Sequence, residues 1–119
     1  MRHFFTGIVI FLLAYTHMQA QCDLQAPTVT NITVCEQMEF TGVFEAQASV
    51  QVESWKWFDQ SHNLIHTSAT PTYSPSVSTA IATTEVFYVS YTALNQAQEL
   101  CESPQTEALV TITPTQNCP

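Results

Sequence analysis

Two histidines, His62 and His66, stand four positions apart in the sequence. On a helix this spacing places both imidazole rings on one face, where they could bind a transition metal. Between them lies Asn63, a residue typical of turns, so we expect a turn or hairpin here and rings that do not converge. The carboxylates show no D-x-[DN]-x-[DN]-G calcium loop either. The sequence therefore predicts no metal site and no cofactor.

Patterns that mark common catalytic sites are missing from the sequence. There is no G-x-S-x-G nucleophile turn, no Gly-rich phosphate loop and no H-E-x-x-H zinc motif. A pair of carboxylates could still make a hydrolase, but a chain of this size offers few deep clefts. We therefore expect a protein that is not an enzyme.

Aromatic residues are the remaining candidates, and they concentrate in the stretch ESWKWFDQ, residues 53–60. Side chains alternate between the two faces of a strand, so Trp55 and Trp57 share one face. In the later stretch EVFYVSY, Phe87 and Val89 share a face in the same way. A tryptophan on a central strand of a sandwich packs across to the opposite sheet. We expect these four side chains to belong to the core.

The opposite face of the same two stretches carries Lys56, Phe58 and Tyr88. If the two strands are neighbours, these side chains project to solvent side by side. A flat aromatic platform of this kind can stack on sugar rings, with Trp55 added if it proves exposed. Aromatic residues also pair across strands simply to stabilise a sheet. Lys56, Phe58 and Tyr88 are therefore the candidate binding residues, and sheet stabilisation is the competing interpretation.

The elements that must hold these residues are short strands. Between residues 27 and 113, apolar and polar residues alternate in short runs broken by Pro, Asn and polar clusters. This pattern predicts an all-β antiparallel sandwich or barrel of about seven strands. Only residues 93–100 favour a helix, and we expect a long connection there with one helical turn. The predicted strands are residues 28–34, 37–44, 52–58, 64–67, 73–78, 85–92 and 107–113.

The first residues of the chain indicate export. A short basic start is followed by an apolar run over residues 4–15 and by the small residue Ala20. An apolar run of about a dozen residues is too short to span a membrane and is typical of a secretory signal peptide. We therefore predict that residues 1–20 are removed. Residues 21–119 should then form a single secreted domain with its core in residues 27–113.

All four cysteines fall in this mature part, at Cys22, Cys35, Cys101 and Cys118. An even number of cysteines in an exported chain predicts disulfides, two in this case, and no pair has the C-x2-C spacing of a zinc site. Four cysteines allow three pairings. A lipid anchor on Cys22 would make this cysteine unavailable for a disulfide. Gln21 directly before it argues against such an anchor.

The charge of the mature chain limits its partners. The mature chain contains ten carboxylates and a single base, Lys56, which gives a net charge of −9 with histidine counted as neutral. Nucleic acids and anionic membranes are bound mainly through clustered Lys and Arg, so neither is an expected partner. Solubility outside the cell explains the acidic balance.

Four short motifs follow one another along the chain: Val34-Cys35, Trp57-Phe58-Asp59, Glu85-Val86-Phe87-Tyr88-Val89 and Cys101-Glu102-Ser103. In this order they resemble the bacterial immunoglobulin-like domains of secreted and cell-surface proteins in Bacteroidetes. The resemblance covers about residues 27–113 and implies an immunoglobulin-like antiparallel β-sandwich. The chain departs from the family pattern after Val34-Cys35, where the usual glycine is replaced by Glu36 and Gln37.

The resemblance also implies a disulfide pairing. Domains of this family usually hold only the equivalents of Cys35 and Cys101, which implies a Cys35–Cys101 bond and a second bond between Cys22 and Cys118. In a simple immunoglobulin topology, however, the first and last strands run parallel. That arrangement would bring Cys22 near Cys101 and Cys35 near Cys118. Of the two, we expect the pairing that the family usually shows.

The expected function is that of a secreted, non-catalytic interaction or structural module of the adhesion type. The module would act in the periplasm, on the cell surface or beyond the cell, with a protein or a glycan as partner. Because immunoglobulin-like sandwiches serve many purposes, the fold alone does not choose between them. A carbohydrate-binding module that uses the outward aromatic residues is one alternative. Assembly through an exposed edge strand is another.

Overall fold

The computed structural model describes residues 22–118, so the predicted signal peptide lies outside the described residues. Nearly all regular structure in this part is β, as the alternation predicts, and one short 3-10 helix follows the last strand. No helix within it is long and apolar enough to cross a membrane. The elements are β1 (Thr28–Val29), β2 (Ile32–Cys35), β3 (Phe44–Gln47), β4 (Ser54–Phe58), β5 (Leu64–Ser68), β6 (Thr72–Tyr73), β7 (Thr83–Leu94), β8 (Leu100–Glu102), β9 (Thr106–Thr113) and the 3-10 helix (Thr115–Asn117).

These strands form two sheets. The smaller sheet has the order β1-β3-β6, and the larger one has the order β2-β9-β7-β4-β5, with β8 pairing the far end of β7. Strands β2 and β9 run parallel, and the other pairs are antiparallel. The chain passes from one sheet to the other at Thr30 and Asn31. The Thr30 N–H donates to the Glu45 carbonyl of β3 (3.1 Å), and the Asn31 Oδ1 accepts from the Leu109 N–H of β9 (3.0 Å).

Aromatic and aliphatic side chains fill the space between the sheets. Phe44 of β3 stacks on Trp57 of β4 with ring centroids 5.5 Å apart, and it meets Phe87 of β7 edge-on at 5.7 Å. Trp57 is 0% exposed, and Trp55, Phe87 and Val89 are also buried in this core, as the alternation predicts. Burying a ring of this size removes on the order of 200 Å² of surface from water. The β-sandwich prediction is therefore confirmed at the level of two sheets packed on one core.

Residues 37–43 form no strand, against the prediction. After β2 the chain turns tightly, with the Met38 N–H donating to the Cys35 carbonyl (3.3 Å) and Gln37 in the left-handed region at φ 72°. The backbone that follows bonds to a loop instead of to a strand, because the Gln37 N–H donates to the Thr79 carbonyl (2.8 Å) and the Met38 carbonyl accepts from the Thr79 hydroxyl (2.5 Å). Met38, within the predicted strand, is exposed to solvent.

The predicted strand over residues 73–78 is also shorter than expected. Strand β6 ends at Tyr73, and Pro75 follows two positions later. Proline has no N–H and cannot donate to a sheet ladder, so it ends the pairing here. The Ser74 hydroxyl donates to the Gly42 carbonyl instead (3.1 Å).

Residues 93–100 form a hairpin and contain no helical turn, which corrects the prediction for this connection. Strand β7 continues to Leu94, the chain turns, and β8 returns along β7. The Asn95 Oδ1 accepts from the N–H groups of Ala97 (2.9 Å) and Glu99 (3.0 Å), and Gln98 takes a φ of 63°. An asparagine that bonds its own turn in this way competes with helix formation.

The disulfides correct the pairing that the family resemblance implies. Bonds join Cys22 to Cys101 and Cys35 to Cys118. The parallel pairing of β2 with β9 sets Cys35 beside Thr113, five residues before Cys118. Cys101 lies on β8, which pairs the opposite end of β7, and it is within reach of the N-terminal segment. A Cys35–Cys101 bond is therefore wrong, because the parallel first and last strands decide the pairing.

Candidate functional site

The outer face of the larger sheet, which is turned away from the core, holds the three predicted binding residues. Phe58 of β4 and Tyr88 of β7 are direct cross-strand partners. Lys56 stands opposite Ser90 on the same pair of strands. The sequence predicts neighbouring side chains if the two strands pair, and the structure meets this condition because β4 pairs with β7.

Phe58 is not an exposed platform, and this corrects the prediction for the outer face. Its side chain is 8% exposed, although it lies outside the cluster that fills the space between the sheets. Tyr88 is half-buried, and the imidazole of His62 stacks on its ring with centroids 4.0 Å apart and planes 22° apart. One face of the Tyr88 ring is already occupied. This aromatic pair therefore lacks the open ring faces that stacking on a sugar requires.

The turn after β4 places His62 over this face. The Asp59 Oδ1 accepts from the N–H groups of Ser61 and Asn63 at 2.9 Å each, and His62 has a left-handed φ of 66°. The hydrogen bond from the Asn63 backbone, helped by that from Ser61, lowers the pKa of Asp59 below its ordinary value. The Nδ1 of His62 lies 2.6 Å from the Gln105 Oε1 and anchors the turn to the segment between β8 and β9.

Lys56, the single lysine or arginine among residues 22–118, is paired. Its Nζ lies 3.0 Å from the Glu102 Oε1, and the Glu102 Oε2 accepts from the Ser90 hydroxyl at 3.0 Å. The pair is partly open to water, where such pairs contribute about 0 to 1 kcal/mol to stability. In this structure the ammonium group is therefore engaged by Glu102 and does not stand unpaired on the sheet.

The two histidines are separated by the sheet. His66 lies opposite Trp57 in the ladder, and its ring stacks on Tyr73 of the smaller sheet at 4.8 Å. His62 lies over Tyr88 on the outer face. Within residues 22–118, no group of three or more His, Cys, Asp or Glu side chains could hold a metal ion.

A second surface, which the sequence reasoning missed, lies at the end of the sandwich where β7 turns into β8. We call it the loop end and define it by the exposed apolar residues Val50, Leu94 and Leu100. Leu94 and Leu100 are cross-strand partners, 53% and 63% exposed. Val50 and Leu94 together line two depressions of about 280 and 340 Å³. Both leucines lie in the stretch whose composition favours a helix, and they come together only because β8 pairs with β7.

Comparisons with protein families, with curated proteins and with solved structures find no match to this chain. The properties of the described surfaces are therefore the basis for a function. The outer face is occupied by its own side chains, whereas the loop end exposes apolar groups to water. The chemistry that the loop end offers is the burial of apolar surface on contact.

Proposed function

We propose that the mature chain is a secreted, non-catalytic immunoglobulin-like domain that acts as an interaction or structural module at or beyond the cell envelope. The arrangement of a β1-β3-β6 sheet against a larger sheet, with the first and last long strands parallel, supports the immunoglobulin-like part of this proposal. The two disulfides support export, because such bonds persist in oxidising compartments.

The loop end carries the interaction part of the proposal. Large apolar side chains that remain exposed next to one another are a common feature of surfaces that bind other proteins. Leu94 and Leu100 form such a neighbouring pair at the turn of the β7–β8 hairpin, and Val50 lines two depressions together with Leu94. The rest of the hairpin is held by the Asn95 turn, so a partner would meet a preformed surface.

The carbohydrate alternative has less support from the geometry. It needs open ring faces at Phe58 and Tyr88, and the first is buried while His62 covers one face of the second. Glycan binding by the mature chain that disappears in a Phe58→Ala variant would restore this alternative. Unchanged glycan binding in that variant would remove Phe58 from any sugar site.

Retention of the exported chain on its own cells tests the interaction role. The variant Leu94→Ser/Leu100→Ser removes the apolar pair, and Ile81→Ser serves as its control because Ile81 is also highly exposed but precedes the opposite end of β7. We expect washed cells to retain the unmodified chain and the Ile81 variant, and to lose most of the double variant. Equal retention of all three would contradict a role for the loop end, and so would an unmodified chain found only in the medium.

Peptide mapping under non-reducing conditions tests export and connectivity together. Cleavage after Asp and Glu would place Cys22, Cys35, Cys101 and Cys118 in four separate peptides, residues 21–23, 24–36, 100–102 and 108–119. We expect a new N-terminus at Gln21, with peptide 21–23 linked to 100–102 and peptide 24–36 linked to 108–119. Retained residues 1–20 or free thiols would contradict export, and a link between 24–36 and 100–102 would contradict the fold described above.

A further inference from the structure

Strand β5, Leu64–Ser68, forms an open edge of the larger sheet. It pairs with β4, and no other strand of the described chain lies beyond it. In an antiparallel ladder, each strand turns alternate N–H and C=O groups toward its partner and the remaining ones away from it. At β5 the groups turned away face the outside of the sheet, where an added strand could pair with them.

The sequence of β5 does little to protect this edge. Leu64-Ile65-His66-Thr67-Ser68 contains no charged residue and no proline, the residues that usually discourage pairing of exposed edges. Leu64 is 54% exposed, and Ile65 is exposed as well. One irregularity is present, because the register with β4 shifts at Ile65, which leaves His66–Ser68 as the regular part of the strand.

The distribution of charge identifies what could approach this edge. Residues 60–84 contain no Asp, Glu, Lys or Arg, whereas the ten carboxylates of the mature chain lie before or after this tract. Two copies of a chain with a net charge of −9 repel each other over most of their surfaces. Strand β5 lies within this uncharged tract, and its Thr67 stands opposite Lys56, so a second copy that approaches this edge meets no carboxylate on the strand itself.

We propose that two copies of the mature chain associate through their β5 edges, antiparallel and around a two-fold axis, so that their larger sheets become continuous. Because the regular part of β5 is His66–Ser68, the axis passes at Thr67, which pairs with Thr67 of the second copy. His66 then lies across from Ser68 of the second copy. Such a self-complementary contact closes after two copies. This inference concerns a different surface from the loop end and does not depend on the interaction proposed there.

The association should be weak and should strengthen with salt. A contact of one short strand from each copy falls in the smallest class of protein interfaces, below about 1,200 Å² in total. Added salt screens the repulsion between the two acidic chains, so it favours the dimer. A basic partner bound to an acidic surface would show the opposite dependence on salt.

Charge substitutions at the proposed axis test the contact directly. In Thr67→Lys or Thr67→Glu alone, like charges would face each other across the axis, and we expect self-association to weaken by roughly tenfold or more. An equimolar mixture of the two variants would place opposite charges there and should restore association as a mixed dimer. The matched controls are Thr33→Lys and Thr33→Glu, at an exposed threonine on β2, the other edge of the same sheet.

Sedimentation equilibrium of the mature chain up to about 1 mM, at low and high salt, provides the measurement for interfaces of this size. The proposal predicts a dimer that strengthens with salt, weakens in each Thr67 variant, recovers in their mixture and is unchanged in the Thr33 variants. A monomer throughout this range would overturn it. Equal effects at Thr33 and Thr67, or a mixture that fails to recover, would also overturn it.

Discussion

The two faces of β4 both bury aromatic side chains, but they do so by different means. On the inner face, Trp57 is covered by residues of the other sheet, with Phe44 stacked at 5.5 Å and Tyr73 at 5.3 Å. On the outer face no second sheet is present among the described strands, and yet Phe58 is buried there too. Beside it, local side chains occupy the surface: His62 stacks on Tyr88.

The difference shows that alternation along a strand fixes the direction of a side chain but not its exposure. The inner residues are covered by pairings between distant parts of the chain, which form only when the sandwich is complete. The outer residues have neighbours from the adjacent turn and from a single ion pair. We therefore expect the inner face to dominate stability, with progressively smaller effects on the outer face.

Removal of the Trp57 ring should have the largest effect. The side chain is fully buried and contacts rings of the opposite sheet, so Trp57→Ala should lower the free energy of unfolding by about 3 to 5 kcal/mol. The variant Trp57→Phe keeps an aromatic ring at the site and should lose much less. Urea unfolding followed by circular dichroism provides the comparison. Similar small losses in both variants would mean that the inner face is not the core of the domain.

Removal of the Phe58 ring should have an intermediate effect. Because the outer face has no second sheet over it, its surroundings can close into the vacated space more easily, and we expect Phe58→Ala to cost about 1 to 3 kcal/mol. The same unfolding measurement applies. A loss as large as that of Trp57→Ala would show that the outer face is a second core and would remove the distinction between the faces.

A Tyr91 variant tests how much a hydrogen bond made by a buried side chain of the inner face contributes to stability. The Tyr91 hydroxyl donates to the Gln25 carbonyl at 2.7 Å, so Tyr91→Phe should cost about 1 kcal/mol. Burial raises the pKa of Tyr91, so the unfolded chain ionises first as the pH rises. Stability from this group is then complete below about pH 10 and declines above it.

An unfolding series across alkaline pH checks this sign. The unmodified chain should lose stability above about pH 10, and Tyr91→Phe should lose less over the same range. Tyr73, whose pKa is also raised by burial, remains in the variant, so a part of the alkaline loss should persist. A steeper alkaline loss in Tyr91→Phe would contradict the assignment.

Lys56 should have the smallest effect. Its pair with Glu102 is partly exposed, and Lys56→Met keeps most of the side-chain length while removing the charge, so we expect a loss of about 0 to 1 kcal/mol that shrinks in high salt. Comparison of unfolding at low and high salt provides the check. A loss that is large and independent of salt would mean that the outer face is held by this pair more than by its rings.

The local pattern of the sequence was enough to predict the strands β4 and β7. It was not enough to predict which side chains of their outer face are covered. The alternation in β4 and β7 placed Trp55, Trp57 and Val89 in the core and set Phe58 beside Tyr88. The burial of Phe58 could not be predicted in this way, since exposure depends on the chain segments that return over the outer face. One of these segments is the turn after β4, in which His62 has a left-handed φ and stacks on Tyr88. A left-handed φ at a non-glycine residue has no clear sequence signature.

Long-range pairing was the other limit of the sequence. The Cys35–Cys118 disulfide follows from the parallel contact of β2 with β9, and no local pattern in either strand specifies which distant strand it will meet. The hairpin at the loop end was hidden for a related reason. Its leucines and glutamines favour a helix, and the pairing of β8 with β7 overrides that preference.

Tryptophan fluorescence tests the central claim, that one side of β4 is sealed between two sheets, most directly. The chain contains only two tryptophans, Trp55 and Trp57, so its indole emission reports on the inner face alone. The structure predicts a blue-shifted emission that acrylamide quenches far more slowly in the folded chain than in the urea-unfolded chain. Folded and unfolded chains that are quenched at the same rate, with both emissions typical of indole in water, would contradict it.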